Sequence, residues 1–428
     1  MNSPATLDPE AHVTPVPGGN AEDSDPFAAI GADGLVADER PESDELLGDD
    51  WIVLSDPDLS ELELKLVETA MSGSRLTAGP MVERFEQSFA RWLGRAHAVS
   101  VASGTLGTWL ALRALGIGPG DEVIASPHGW HQVAQAVSLA GATLVFSDIH
   151  YWTGCLDPVR AEARITPRTK AILAGNVNGH PAAWGPLRAL ADRHGIALIE
   201  DSTEALGSRY QGRKVGSFGD IAVFDFSQPS ALACGDGAMV VTDDERLAIE
   251  LRYLRQRSIK DRNSLSVGAR VPLQAGISEL TAAMGVGQLA RIDELLVRRK
   301  VVEAFYRDLM NSFEGIKPPY IADDVDEVHW MVWQVHLGTR FTASARKQIV
   351  DDLNREHIEA APFCKPLHQQ FFYQQQGWKR GDLPLAERIG DRALALPFHA
   401  LLDEDAVRFI VGALKDIATN IGAGVPIY

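Results

Sequence analysis

The segment WGPLRALADRHGIALIED, residues 184–201, decides the fold, because it reads as a helix followed at once by a short buried strand. The helix runs from Trp184 to His194, and the strand from Ile196 to Glu200 ends in acids. The same alternation extends in both directions, with strands at 97–102, 122–126, 143–147, 170–174, 220–226 and 237–242 and helices at 104–115 and 132–140. This order predicts a mostly parallel sheet between two layers of helices.

The negative charge is concentrated in the N-terminal residues. Residues 1–50 hold thirteen acidic residues and a single basic one, Arg40, so about −12 of the net charge of −18 falls there. Such a segment cannot bury enough apolar surface to offset its ordering entropy, and we expect a disordered acidic tail. We expect a large α/β domain at 51–311, whose last part, 279–311, reads as one long helix or two abutting ones. A smaller α/β domain at 312–428 is expected to follow.

The composition excludes several classes of protein. Hydrophobic residues make up 45% and charged residues 23%, as in ordinary globular proteins. No apolar run reaches membrane-spanning length, and no basic N-terminal segment leads into an apolar stretch. Cys155, Cys234 and Cys364 are too widely spaced for a disulfide framework or a zinc site, which favours a cytoplasmic protein. The folded part has no basic stripe, so neither nucleic-acid nor membrane partners are expected.

Acidic residues follow two of the predicted strands. Asp201 and Glu204 lie at and after the carboxyl end of one strand, where open α/β sheets place their ligands, and Asp225 lies near the end of another. Paired carboxyls in one pocket push their pKa values apart, which supplies an acid and a base near neutral pH. His128 or His131 would carry a proton. No His-x-x-x-His or cysteine pair with ligand spacing occurs, so we predict no metal site.

A turn of small residues, Ala102-Ser103-Gly104-Thr105, joins the first predicted strand to a helix. The free N–H groups and the positive dipole end of a helix attract anions. Serine and threonine are also ordinary helix caps, so this turn alone is a weak signal.

Three stretches carry a resemblance to a known family. They are VFDFSQPSALACGDGAMVVT at 223–242, GRKVGSFGD at 212–220 and FCKPLH at 363–368. With them, residues 56–425 resemble the DegT/DnrJ/StrS sugar aminotransferases. The resemblance implies the aspartate aminotransferase-like fold type I of enzymes that depend on pyridoxal phosphate (PLP).

The resemblance also implies roles for single residues. Ser230 stands where the family has the lysine that holds PLP as a Schiff base, and serine cannot form a stable imine. Trp130 matches the aromatic residue that stacks on the pyridine ring. Asp201 matches the aspartate that pairs with the ring nitrogen. Ser103, Gly104 and Thr105 match the turn that helps to hold the cofactor phosphate.

Other positions depart from the family pattern. Glu204 replaces a glutamine that touches the ring hydroxyl, and Asp225 replaces a serine that binds the phosphate. A carboxylate beside a phosphate costs several kcal/mol in a partly buried site unless it is protonated or bridged. Gln274 replaces an asparagine that reaches the phosphate across the dimer, and Gly276 replaces an arginine. The resemblance further implies a homodimer that shares its active sites, with the helix from Glu279 onward at the interface.

Three functions remain open from the sequence. The first is an enzyme of sugar or secondary-metabolite biosynthesis that acts on a small-molecule substrate by acid/base chemistry, with no covalently bound cofactor. The second is an enzyme that binds pyridoxamine phosphate (PMP) or PLP without a covalent bond, as do family members that dehydrate keto-deoxysugars and carry histidine at the lysine position. The third is a non-catalytic partner of another biosynthetic enzyme, to which an acidic tail would be suited.

Overall fold

The computed structural model describes residues 48, 50–255, 271–311 and 315–422. The expected acidic tail at 1–50 lies almost wholly outside the described residues and stays a prediction. The described residues from 50 onward belong to one compact unit. The expected boundary between a large and a small domain at 311 and 312 adjoins undescribed residues and also stays a prediction.

The first part of the unit alternates helices and strands as the sequence predicted. Its elements are α1 Glu61–Met71, α2 Pro80–Leu93, β1 His97–Val101, α3 Gly104–Ala114, β2 Glu122–Ala125, α4 Gln132–Leu139, β3 Thr143–Phe146, α5 Pro158–Glu162, β4 Thr169–Gly175, α6 Trp184–His194, β5 Ala197–Asp201, β6 Arg209–Tyr210, β7 Arg213–Lys214, β8 Ile221–Asp225, β9 Ala238–Thr242 and α7 Glu245–Arg255.

The main sheet has seven strands in the order β1-β9-β8-β5-β4-β2-β3. The pairs β2·β3, β2·β4, β4·β5 and β5·β8 are parallel, whereas β9 runs antiparallel to both of its neighbours. The predicted mostly parallel sheet is therefore confirmed. Every residue of β2, β8 and β9 is buried, as expected for strands that helices cover on both faces.

The second part of the unit contains one long helix and a small antiparallel sheet. Its elements are α8 Glu279–Met310, β10 Ile316–Lys317, β11 Val325–Glu327, β12 Trp333–Leu337, α9 Ala343–Arg355, β13 Ala361–Pro362, α10 Phe371–Gln374, α11 Pro384–Arg392, β14 Ala393–Leu396 and α12 Glu404–Gly422. The small sheet has the order β10-β12-β14-β13, and its cluster of buried apolar side chains includes residues of α9 and α12.

The segment at 279–311 forms a single helix, α8, of 32 residues. Its first half packs into the core beneath the main sheet, and its second half packs into the core of the small sheet. Close approach to α2 requires a glycine, since a Cβ on Gly285 would lie 2.6 Å from the ring of Phe85. Helix α8 thus connects the two apolar cores, and about half of the helix packs into each core.

Carboxylates close several helix ends and turns. The buried Glu279 side chain accepts the backbone N–H groups of Gly79, Met81 and Val82 at 2.9 to 3.0 Å, at the start of α2. Asp148 does the same at the start of α11, where it accepts from the backbone N–H groups of Leu385 and Ala386, each at 3.0 Å. A carboxylate in this position satisfies free backbone donors and interacts favourably with the helix dipole.

Candidate active site

A small pocket opens at the carboxyl ends of β4 and β5. This is the edge of an α/β sheet at which ligands bind. Its walls combine polar and charged side chains with a few apolar ones: Ser126, His128, Trp130, Val133, Leu173, Asn176, Val177, Asp201, Glu204 and Leu367, together with Gly129 and Gly175. Four of the residues predicted from the sequence, His128, Trp130, Asp201 and Glu204, therefore lie in one pocket.

Asp201 is the last residue of β5 and is 8% exposed. One of its carboxylate oxygens accepts the backbone N–H of Thr203 at 3.1 Å. Burial raises the pKa of Asp201 to about 6, and the nearby charges of Asp225 and Glu200 act in the same direction, against the hydrogen bond from Thr203. The carboxyl is mostly ionised at neutral pH.

Glu204 lies in the turn that follows β5, also with 8% exposure. Its side chain accepts the backbone N–H of Asn178, which adopts a left-handed conformation with φ of 48° after β4. Burial raises the pKa of Glu204 to about 8, the hydrogen bond from Asn178 lowers it, and the charge of Asp201 raises it further. At neutral pH Glu204 is mostly protonated, so the pocket holds one proton donor and one proton acceptor.

His128 lies in the wall of this pocket and is 3% exposed. Neither ring nitrogen makes a well-formed hydrogen bond to the described residues. Burial lowers the pKa of His128, so its ring is neutral at neutral pH despite the nearby Glu204. Trp130 is half-buried in the same wall, whereas His131 is exposed and its ring meets the side-chain amide of Gln370 at 3.2 Å, outside the lining.

Asp225, the last residue of β8, points at the start of α3. One oxygen of its carboxylate accepts the backbone N–H of Gly104 at 2.5 Å and the side-chain amide of Gln132 at 3.0 Å. The other oxygen accepts the backbone N–H of Ser227 at 2.8 Å and also the hydroxyl of Ser227. Both carboxylate oxygens are thereby satisfied within the chain, and Asp225 does not belong to the lining of the pocket.

The turn into α3 is built as the sequence suggested. Ser103 is the N-cap and accepts the backbone N–H of Leu106 at 3.3 Å. Gly104 is required because a Cβ there would lie 2.3 Å from the Gln132 side chain and 2.8 Å from Asp225. Thr105 is half-buried in the first turn of α3.

Two predicted residues lie elsewhere in the described structure. Ser230 is half-buried in the loop between β8 and β9, and its hydroxyl accepts the backbone N–H of Leu232 at 3.2 Å. Gln274 is exposed in this single chain, and its expected role in a partner's pocket stays a prediction. Neither residue belongs to the lining of the pocket in this single chain.

Sequence reasoning missed Gln132, Asn178 and Ser227. Gln132 and Ser227 converge on Asp225, and Asn178 holds Glu204. Gln132 could have been found, because it opens a helix directly after the two histidines. The left-handed turn at Asn178 has a weaker signal, the Asn-Gly pair at 178 and 179 directly after a buried strand.

Within the described residues, no group of three or more His, Cys, Asp or Glu side chains could hold a metal ion. None of the described helices is both long enough and apolar enough to cross a membrane.

Comparison with known proteins identifies the family. Residues 57–415 match the DegT/DnrJ/EryC1/StrS aminotransferase family. This chain belongs to that family. It is 36% identical over 342 residues to the GDP-perosamine synthase of Caulobacter vibrioides, a match that covers 80% of this chain and 91% of that one. It is 35% identical over 362 residues to the dTDP-3-amino-3,4,6-trideoxy-alpha-D-glucose transaminase of Streptomyces venezuelae, covering 83% and 92%.

A solved structure of the family has the same fold. The S. venezuelae enzyme DesV in complex with a ketimine intermediate superposes with a TM-score of 0.77 at 34% sequence identity, over 83% of this chain and 94% of that one. The predicted fold type I is confirmed. The chain is thus a member of an aminotransferase family whose relatives include enzymes of sugar biosynthesis.

The residues at the start of α3 do not fit the phosphate of PLP or PMP. The family resemblance assigns the turn at the start of α3 to the phosphate. In this chain the N–H of Gly104 in that turn already donates to Asp225, and the side-chain amide of Gln132 donates to the same carboxylate oxygen. A phosphate there would meet a carboxylate instead of free donors. Among the described residues, the lining of the pocket contains no lysine.

Proposed function

We propose that this chain is an enzyme of sugar or secondary-metabolite biosynthesis that acts without lysine-bound PLP. The sugar-transaminase relatives support a sugar or sugar-like small molecule as the substrate. Ser230, at the position that the family resemblance gives to the Schiff-base lysine, supports the absence of a covalently bound cofactor. A cytoplasmic homodimer is part of the same proposal.

One observation carries the proposed chemistry. Asp201 and Glu204 line one pocket, with pKa values raised to about 6 and about 8. Near pH 7, Glu204 therefore donates a proton to a substrate oxygen while Asp201 accepts one from substrate carbon or oxygen. Neutral His128 is the proposed proton carrier, since neither of its ring nitrogens makes a well-formed hydrogen bond to the described residues.

The roles proposed for the remaining residues follow from their contacts. Trp130 provides an apolar face for a sugar ring at the pocket wall. Asn178 holds the Glu204 side chain in position through its backbone N–H. Asp225, whose oxygens are satisfied within the chain, is a positioning residue rather than an acid or base.

The test is proton exchange without cofactor. The purified protein is incubated in D₂O with GDP- and dTDP-linked keto-sugars, and deuterium incorporation next to the carbonyl is followed by NMR. Exchange by the wild type, with a loss of about 10²-fold or more in Asp201→Asn and Glu204→Gln, supports the proposal. Glu122→Gln is the matched control, because Glu122 is buried at the start of β2, bound to Arg168. Absence of exchange by the wild type would refute the acid/base enzyme.

A second candidate is an enzyme that binds PMP or PLP without a covalent bond. The family membership and the transaminase relatives favour it. Absorbance spectra with and without added PLP or PMP, followed by borohydride reduction and peptide mapping, separate the two candidates. The proposed enzyme yields no pyridoxyl-lysine from the pocket, and its exchange activity does not depend on the cofactor. A pyridoxyl-lysine in the pocket would overturn the lysine-free proposal.

A further inference from the structure

The Asp225 carboxylate occupies the place at which this scaffold would hold an anion. Helix α3 starts at Gly104, directly after the buried strand β1, and its first N–H is a natural anion donor. In this chain the acceptor is Asp225, at 2.5 Å from the Gly104 nitrogen. The anion at the α3 start therefore comes from the protein itself.

The surroundings of Asp225 are built to hold this carboxylate. Four donors reach it from three separate elements: the N–H of Gly104 at the start of α3, the amide of Gln132 at the start of α4, and the N–H and hydroxyl of Ser227 after β8. Asp225 is only 4% exposed, and a Cβ on Gly104 would lie 2.8 Å from its carboxylate, so the carboxylate fits closely against the start of α3. Charge-assisted hydrogen bonds of this kind are stronger than neutral ones.

We propose that Asp225 is an internal substitute for a ligand phosphate and determines which ligands the pocket accepts. A compound that relies on a phosphate group for its anchor finds the α3 donors taken and meets a negative charge. The pocket then selects ligands by what reaches Asp201, Glu204 and Trp130. This proposal rests on the proposed function, in which the enzyme acts without lysine-bound PLP, and adds that the chain itself fills the place of the phosphate.

The same chain offers a matched control. Asp148 also accepts two backbone N–H groups at a helix start, that of α11, each at 3.0 Å. Asp148→Ser removes that carboxylate and tests whether phosphate binds at any helix start in this protein that has lost its carboxylate. Asp225→Ser removes the carboxylate at α3 but leaves Gly104, Gln132 and Ser227 as donors.

The experiment measures phosphate, not activity. Melting temperature is recorded in potassium phosphate and in potassium chloride at equal ionic strength and pH. The wild type and Asp148→Ser are expected to differ by less than about 1 °C between the salts. In about 50 mM phosphate, Asp225→Ser is expected to gain about 2–4 °C, as for a site half-filled near 1 mM. Wild-type stabilisation by phosphate equal to that of Asp225→Ser, or an equal gain in Asp148→Ser, would overturn the inference.

A second measurement keeps the test decisive if Asp225→Ser does not fold. Binding of PLP and of pyridoxal, which lacks the phosphate, to the wild type is compared by quenching of tryptophan fluorescence. We expect the two dissociation constants to agree within about threefold. PLP binding more than about tenfold tighter, with nothing trapped by borohydride, would refute the role of Asp225 and leave the lysine-free proposal standing. Trapping of a pyridoxyl-lysine would instead refute the proposed function.

Discussion

Replacing Glu204 with glutamine removes a pH-dependent loss of stability. Burial raises the pKa of Glu204 from 4.5 to about 8. The folded protein therefore keeps the proton at pH values where the unfolded chain releases it. The stability that this carboxyl contributes is fully present below its unfolded pKa and is lost as the pH rises towards 8. Each pH unit between the two values lowers the free energy of unfolding by about 1.4 kcal/mol.

A comparison of the wild type with Glu204→Gln from about pH 6.5 to about pH 8 isolates this carboxyl. The raised pKa of Asp201 is about 6, and burial lowers the pKa values of His180, His336 and His399 to about 4 and that of His329 to about 3. The changes in stability that these groups still cause above pH 6.5, where unfolded histidine loses its proton, are common to both proteins. Relative to Glu204→Gln, the wild type is expected to lose about 2 kcal/mol across the interval. The variant lacks this loss because its amide does not titrate, while its oxygen still accepts the N–H of Asn178.

Urea unfolding at several pH values within the interval measures the effect. Glu122→Gln is the control: Glu122 is also buried, but the hydroxyl of Thr166 leads the causes that lower its pKa. Its curve should run parallel to that of the wild type, offset by a constant amount. If Glu204→Gln also runs parallel to the wild type, the Glu204 carboxyl does not hold its proton in the folded protein, and its assignment as the acid fails.

Three further predictions concern the cofactor site, the assembly and the tail. Ser230→Lys alone should not produce the absorbance band of lysine-bound PLP, and a strong band in this variant would contradict the prediction. Adding Asp225→Ser and Glu204→Gln should raise PLP affinity more than any single change does, because the three positions share one ligand. Sedimentation at micromolar concentration should show a homodimer, with Gln274 in the partner's pocket, and a pure monomer would contradict it. Deleting residues 1–50 should leave the melting temperature and any activity unchanged, and a drop of several degrees would mean that the tail docks.

The arrangement of the main sheet was predictable because each of its strands is a short apolar run next to a helix. The helix and the strand predicted in WGPLRALADRHGIALIED match the bounds of α6 and β5 almost residue by residue. The small strands β6, β7 and β11 were not foreseen. Each has two or three residues, so side-chain periodicity has too few positions to act on.

The site was predictable only in part, for a physical reason. Asp201 and Glu204 lie within a few residues of each other at and after the end of β5, so local sequence alone places both at the same edge of the sheet. The contact between Asp225 and Gln132 joins residues 93 positions apart, and no local pattern encodes it. The sequence indicated repulsion between Asp225 and a phosphate, but not that the chain supplies four donors to that carboxylate.

The hairpin of β8 and β9 separates the stability of this protein from its chemistry. Its two strands are wholly buried and pair along their length, and the backbone of Phe226 bonds to Gly237 at 2.8 Å just beyond them. The tip between, residues 228–230, is partly exposed and belongs to none of the buried apolar clusters. Substitutions at the tip therefore leave folding nearly untouched. During evolution, a single substitution at this tip can add, remove or exchange a reactive side chain, while the fold stays the same across relatives.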